Sequence, residues 1–159
     1  MSVVIRPATP DDATAIARLH VRTHRATYAP LIEGPYSAPP FRRRLMDWRS
    51  MLGGPGLSFV VADDGVIVGF IHAEGERIEP LHVAPSHHRR GLGRALLLHL
   101  LDALRAREIP SAIFNVFERN ARAIAFYEAL GAQRIGVETM TDAPVPYQDV
   151  VFRIGTAAT

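Results

Sequence analysis

Apolar and polar positions along this chain change their period several times, and each change marks an element. Residues 3–5 are a short β-branched run closed by Pro7 and predict an opening strand. Thr9, Pro10, Asp11 and Asp12 predict a helix start, with a hydroxyl cap, proline at the first helical position and a carboxylate three residues after the cap. Ile16, Leu19 and Thr23 follow at helical spacing, with Ala13 and His20 beside them, to about Arg25. Residues 29–40 hold four prolines and Gly34 and read as loop. Phe41, Leu45, Trp48 and Leu52 then share a helical face that Gly53, Gly54, Pro55 and Gly56 terminate.

A strand-like pattern takes over next. Residues 57–62 and 66–73 predict a hairpin through Asp63, Asp64 and Gly65, and residues 78–83 a further strand that Pro80 makes irregular or places at an edge. After a turn over 84–90, Leu92, Leu96, Leu100 and Leu104 belong to the broad apolar surface of a long helix that ends before Pro110. Residues 112–117 read as strand, and 120–130 as helix with Gly131 as its stop. Two strands close the chain, 133–140 and 147–154. The order is β α α β β β α β α β β, and its central strand-helix-strand crossover implies one parallel pair in a mixed sheet.

Composition narrows the chemistry. A chain of 159 residues, 48% hydrophobic and 21% charged, fits one globular domain spanning 1–159. No run of about 18 apolar residues supports a membrane span, and the N-terminus carries no apolar signal segment, so we expect a cytoplasmic protein. There is no Cys, which excludes disulfides, thiolate metal sites and a thiol nucleophile. All 18 basic residues are Arg, which excludes the Walker phosphate loop and Schiff-base chemistry, both of which need an amine. A net charge of +2 gives no argument for nucleic acid, and Arg42, Arg43 and Arg44 read as a solvated helix face. His72, His82, His87 and His88 come without the spacing of a metal site, so none is expected.

The stretch LHVAPSHHRRGLGRALL, residues 81–97, carries the most chemistry. A strand leads through a glycine-bearing turn into a helix, where amides lack partners and can hold a phosphate. Gly91 and Gly93 permit close approach of a ligand to the backbone, while Arg89, Arg90 and Arg94 add cationic donors. A dinucleotide fingerprint needs a third glycine where Leu96 stands, so that reading fails.

Here the chain resembles the GNAT superfamily of N-acetyltransferases. The family's cofactor motif reads His88, Arg89, Arg90, Gly91, Leu92 and Gly93, with His88 in place of the usual Gln or Arg. Its second motif reads Asn120, Ala123, Phe126, Tyr127, Glu128, Leu130 and Gly131, and the opening IRPATPDDA and the hairpin GVIVGFI also look like the family. The resemblance implies an α/β fold with a central, mixed, mostly antiparallel sheet of about seven strands, one parallel crossover and about four flanking helices. It implies acetyl-CoA as co-substrate, no metal, and a homodimer as the family's habit.

The resemblance also assigns residues. The CoA pyrophosphate would lie on the amides of Arg89, Arg90, Gly91, Leu92, Gly93 and Arg94, and the pantetheine arm along Leu81, His82 and Val83, between two splayed central strands. His88, Asn120 and Tyr127 complete the cofactor set. With no Cys available, direct attack of a primary amine on the thioester within a ternary complex is the natural route. Tyr127 would protonate the departing sulfur, since a phenol with an ordinary pKa of about 10 stays protonated near neutral pH. Glu79 is the expected general base, sharing a face with Leu81 and Val83 by strand alternation, with Glu76, His82 and Asp149 as competitors. His24, Tyr28, Glu33, Tyr36, Tyr147 and Asp149 are expected acceptor-wall residues, and a small-molecule amine fits them better than a protein terminus. A CoA-binding regulatory module without turnover is the alternative, and no nucleic-acid or membrane partner is expected.

Overall fold

In the computed structural model, which describes residues 2–157, the chain forms seven strands and four α-helices among those residues. In chain order these are β1 Val3–Pro7, α1 Ala13–Tyr28, α2 Phe41–Leu52, β2 Leu57–Asp63, β3 Val66–Glu74, β4 Arg77–Val83, α3 Leu92–Ala106, β5 Ser111–Phe117, α4 Ala121–Ala129, β6 Gln133–Met140 and β7 Tyr147–Gly155. Single 3-10 turns precede α1, at Pro10–Asp12, and α3, at Pro85–His87. The expected order is therefore observed. The first helix runs one turn further than expected, to Tyr28, because nothing in Ala26 and Thr27 stops it before Pro30.

All seven strands form one sheet in the order β1-β2-β3-β4-β5-β7-β6, antiparallel except for β4 and β5. That parallel pair is joined at one register position, Arg77 opposite Ile113, with the Ile113 N–H donating to the Glu76 carbonyl at 2.8 Å. Beyond it β4 and β5 diverge, so the middle of the sheet is split.

Strand alternation assigns the two faces. Phe70, His72 and His82 meet Trp48 and His20 of the α1–α2 layer, at ring separations of 5.1 to 5.9 Å. On the opposite face a Cβ added to Gly69 would lie 3.2 Å from Leu96 of α3 and 2.8 Å from Val61, so glycine lets α3 sit close. The leucines of α3 at 96, 97, 100 and 104 are almost fully buried there.

The register of β4 corrects one expectation. Ile71 pairs with Leu81 but Ala73 pairs with Ile78, so Glu79 and Pro80 together oppose His72 in a bulge. Glu79 therefore does not share the face of Leu81 and Val83; it stands on the His72 and His82 side and is exposed. Its charge is accordingly felt by Tyr28, Arg44 and Asp149.

Candidate active site

The split between β4 and β5 opens into a cleft of about 1860 Å³ that runs from the start of α3 to the α1–α2 layer and the β6–β7 loop. At its α3 end the chain turns through Arg89 and Gly91, both at positive φ, 64° and 76°. The first helical bond of α3 runs from the Ala95 N–H to the Gly91 carbonyl at 3.0 Å, leaving the amides of Leu92, Gly93 and Arg94 without helical acceptors. A Cβ on Gly93 would make only ordinary contact with Phe126 and Val83, at 3.6 and 3.8 Å. Packing thus does not demand glycine there, whereas close approach of a ligand would.

Arg89 and Arg94 are exposed on the cleft rim, while Arg90, on the same turn, is not part of the lining. His88 donates from Nε2 to the Val83 carbonyl at 2.8 Å, and His87 from Nε2 to Asp63 at 2.9 Å. Both imidazoles hold the turn against the sheet, which gives His88 a tethering role in place of the family's Gln or Arg. Asn120 caps α4, its Oδ1 accepting from the Ala123 N–H at 3.2 Å, so its amide nitrogen is what remains to reach a ligand. Leu81, His82 and Val83 line the cleft where β4 has left β5.

Tyr127 lies between the two ends. Its ring packs on Phe114, Phe126 and Phe152 at 4.4, 5.0 and 6.4 Å, and its hydroxyl makes no hydrogen bond among the described residues. Burial raises its pKa, and the Tyr28 phenol raises it further. Tyr28 is itself pushed up to about 12 by burial, then by Asp149, Glu79 and Tyr36. These links tie Tyr127 to the far end of the cleft through Tyr28.

Asp149 is 7% exposed. It pairs with Phe117 across β5 and with Glu138 across β6, and Phe117 carries the rings of Tyr28 and Tyr147 at 6.2 and 5.5 Å. Asn115 donates to Asp149 Oδ2 at 3.3 Å and to Glu138 at 2.9 Å while accepting from Arg77 at 3.0 Å. The second oxygen of Asp149, Oδ1, has no donor among the described residues. Burial pushes the Asp149 carboxyl up, opposed by Asn115 and reinforced by Asp142, Glu138 and Glu79. Tyr147 donates to Asp142 at 2.8 Å, and its pKa is raised by burial and by that acid.

The opposite wall is aromatic and basic. Trp48 Nε1 donates to His20 Nδ1 at 3.0 Å, which leaves the His20 proton on Nε2. Burial holds His20 down to about 2, His82 to about 3 and His24 to about 4, so all three are neutral at pH 7. The 29–40 loop crosses the cleft mouth, held by a 2.5 Å hydrogen bond between His24 Nδ1 and the Tyr36 hydroxyl and by a 2.6 Å ion pair between Glu33 and Arg119. Glu33 is thus committed at the rim and does not reach the pocket floor.

Among the bases left open by sequence, Glu76 does not line the cleft and His82 holds no extra proton at neutral pH. Glu79 is exposed and Asp149 is buried. A second correction concerns Arg44. Arg42 and Arg43 are exposed as expected, but Arg44 is half-buried, lines the cleft and has a buried Nε without a hydrogen-bond partner. Its position one turn before Trp48 is the signal that places it on the inward face. Among the described residues no group of three His, Asp or Glu side chains is arranged to hold a metal ion. No helix among them is long and apolar enough to cross a membrane.

Comparison with known proteins agrees with this geometry. Residues 15–132 match the family described as Acetyltransferase (GNAT) family. Over 99 residues the chain is 36% identical to the mycothiol acetyltransferase of Thermomonospora curvata, covering 58% of this chain and 33% of that protein. Over 79 residues it is 37% identical to the [ribosomal protein bS18]-alanine N-acetyltransferase of Escherichia coli, covering 47% and 53%. The chain thus spans a third to about half the length of these relatives. The PaiA N-acetyltransferase of Thermoplasma acidophilum, solved in complex with coenzyme A, superposes with a TM-score of 0.75 at 18% identity, over 98% of this chain and 99% of that one. That likeness establishes the fold: a seven-stranded mixed sheet with one parallel pair.

Proposed function

The chain belongs to the acetyltransferase (GNAT) family, whose co-substrate is acetyl-CoA, and we propose that it moves the acetyl group to a primary amine by direct attack in a ternary complex. The carrying observation is the split sheet. Its unpaired β4 edge leads from the free amides of α3 to Tyr127, in one continuous cleft. The amides from Arg89 to Arg94 hold the pyrophosphate, and Leu81 to Val83 pair with the pantetheine arm as an added strand would. The chain works as one domain, in the cytoplasm. The names of the two relatives point to different acceptor kinds, mycothiol and a ribosomal-protein alanine. The loop strapped over the mouth by Tyr36 and Glu33 favours a small molecule.

The amine reaches the cleft as an ammonium. Glu79 and Asp149 supply the negative field that draws it in, and the buried Asp149, with its open Oδ1, takes the proton. The freed amine attacks the carbonyl, the carbon–nitrogen bond forms and the carbon–sulfur bond breaks. Tyr127 protonates the sulfur, and the second proton leaving nitrogen returns to Tyr127. Asp149 releases its proton to solvent, so one proton is liberated per turnover.

The first test is CoA release from acetyl-CoA across a panel of primary amines and short peptides. Release with at least one class is expected; tight acetyl-CoA binding with no release from any would instead identify a regulatory module. The second test is Asp149→Asn. The carboxylate works as a base only when ionised, and its raised pKa means this form is lost as pH falls through a value above the ordinary carboxylate range. We expect kcat/KM near pH 7 to fall about 10²-fold, within the usual span for a general base. The deficit should shrink at alkaline pH, where free amine accumulates without help. A deficit equal at every pH would remove Asp149 from proton transfer.

A further inference from the structure

Arg44 is a half-buried cation without an ion-pair partner among the described residues. It extends from α2 into the acceptor half of the cleft, and its Nε is buried with no acceptor among the described residues. Among the described residues no carboxylate lies within ion-pair distance of it. Asp47, one turn along the helix, is engaged by Arg43 at 3.0 Å, and Glu79 acts on Arg44 only at longer range. The groups that act on its charge are Asp47, then Tyr36 and Glu79, and the cleft histidines His20, His24 and His82 that feel Arg44 are neutral at pH 7. Burial lowers the Arg44 pKa, and Asp47, Tyr36 and Glu79 offset that loss of water only in part.

The opposite wall has the reverse sign. Glu79 on β4, Asp142 in the loop after β6 and Asp149 on β7 line the cleft, and Asn115, which accepts from Arg77, joins Asp149 to Glu138 of β6 behind that wall. The acceptor end is therefore dipolar, cationic toward α2 and anionic toward β6 and β7. A planar guanidinium that lines the cleft and has no side-chain acceptor among the described residues can offer its Nη donors to a carboxylate. A diamine would place its second cation against Arg44, and a neutral amine would leave Arg44 unpaired.

We infer that the acceptor is a small zwitterion, an amino acid or close relative, whose carboxylate is held by Arg44 while its ammonium faces Asp149. This rests on the transferase reading and names the substrate class of the same site.

The test compares free amino acids with their matched carboxamides and with terminal diamines, using CoA release at saturating acetyl-CoA. In the wild type we expect each accepted amino acid to exceed its amide by about 10- to 100-fold in kcat/KM, the span of a charge-assisted hydrogen-bonded pair. In Arg44→Met the ratio should fall to about 1, mainly through KM, with acetyl-CoA affinity by calorimetry unchanged. Met preserves length and apolar contact beside Trp48, so the fold should persist, and Arg44→Gln serves as a second variant. Amides or diamines matching the acids, a preference surviving in Arg44→Met, or loss of acetyl-CoA affinity in that variant would each overturn the assignment.

A binding readout needs no turnover. With CoA present, N-acetylated amino acids should bind the wild type and not Arg44→Met, while their amides should bind neither. Equal binding to both proteins would also overturn it. If no amine of any class releases CoA, the transferase reading fails, while product binding still decides the role of Arg44.

Discussion

Gly91→Glu is expected to weaken acetyl-CoA binding about 10²-fold by calorimetry while lowering the melting midpoint by only a few degrees. Gly91 caps α3 at φ 76°, and a Cβ there would meet nothing within 4 Å, so the protein itself has room for a side chain. The left-handed backbone costs a non-glycine residue roughly 1–2 kcal/mol of stability, the same with and without ligand. A carboxylate about 5 Å from a phosphate charge, at an effective dielectric near 20, adds about 3 kcal/mol of repulsion. Only the repulsion falls on binding, and about 3 kcal/mol is roughly a hundredfold, since every 1.4 kcal/mol is a factor of ten. Gly91→Ala carries the backbone cost without the charge, so it should stay within about tenfold of the wild type. Unchanged affinity in Gly91→Glu would mean that the diphosphate does not lie on these amides, and the cofactor assignment would fall with it.

The contrast between what local pattern reveals and what it hides runs through this site. Gly91, Gly93, Tyr127 and the caps of α3 and α4 are legible because each belongs to a turn or helix whose signals lie within a few residues. The position of Glu79 is not, because its face depends on the register of β4 against β3, and the bulge opposite His72 reverses the parity counted along the strand. The partners of Asp149 are also hidden, since Asn115 and Glu138 reach it only through pairings of β5, β6 and β7. Likewise the tautomer of His20 depends on Trp48, 28 residues away. Arg44 is a different case. Its place one turn before Trp48 is present in the helical spacing, but three consecutive arginines suggest a solvated stripe, and only two of them form one.

Tyr127→Phe is expected to lower kcat about 10³-fold with acetyl-CoA affinity and melting midpoint unchanged. The ring packs on Phe114, Phe126 and Phe152 through its carbons, and its hydroxyl makes no hydrogen bond among the described residues, so removing that oxygen leaves no buried partner unsatisfied. What disappears is a proton donor. Burial and the neighbouring Tyr28 keep the phenol protonated well above neutral pH, so the donor form persists across any practical assay range. The loss should therefore not fade as pH rises, in contrast to that of Asp149→Asn, whose missing carboxylate is bypassed once the amine is already free. The acid is needed because a thiolate whose conjugate thiol has an ordinary pKa of about 8.5 leaves poorly from a cleft that cannot solvate it. An acetyl thioester of a more acidic thiol should accordingly be hurt far less by Tyr127→Phe than acetyl-CoA is. Equal loss with both donors would show that the hydroxyl positions the substrate and does not protonate sulfur. Loss of acetyl-CoA affinity in step with kcat would assign Tyr127 to binding alone.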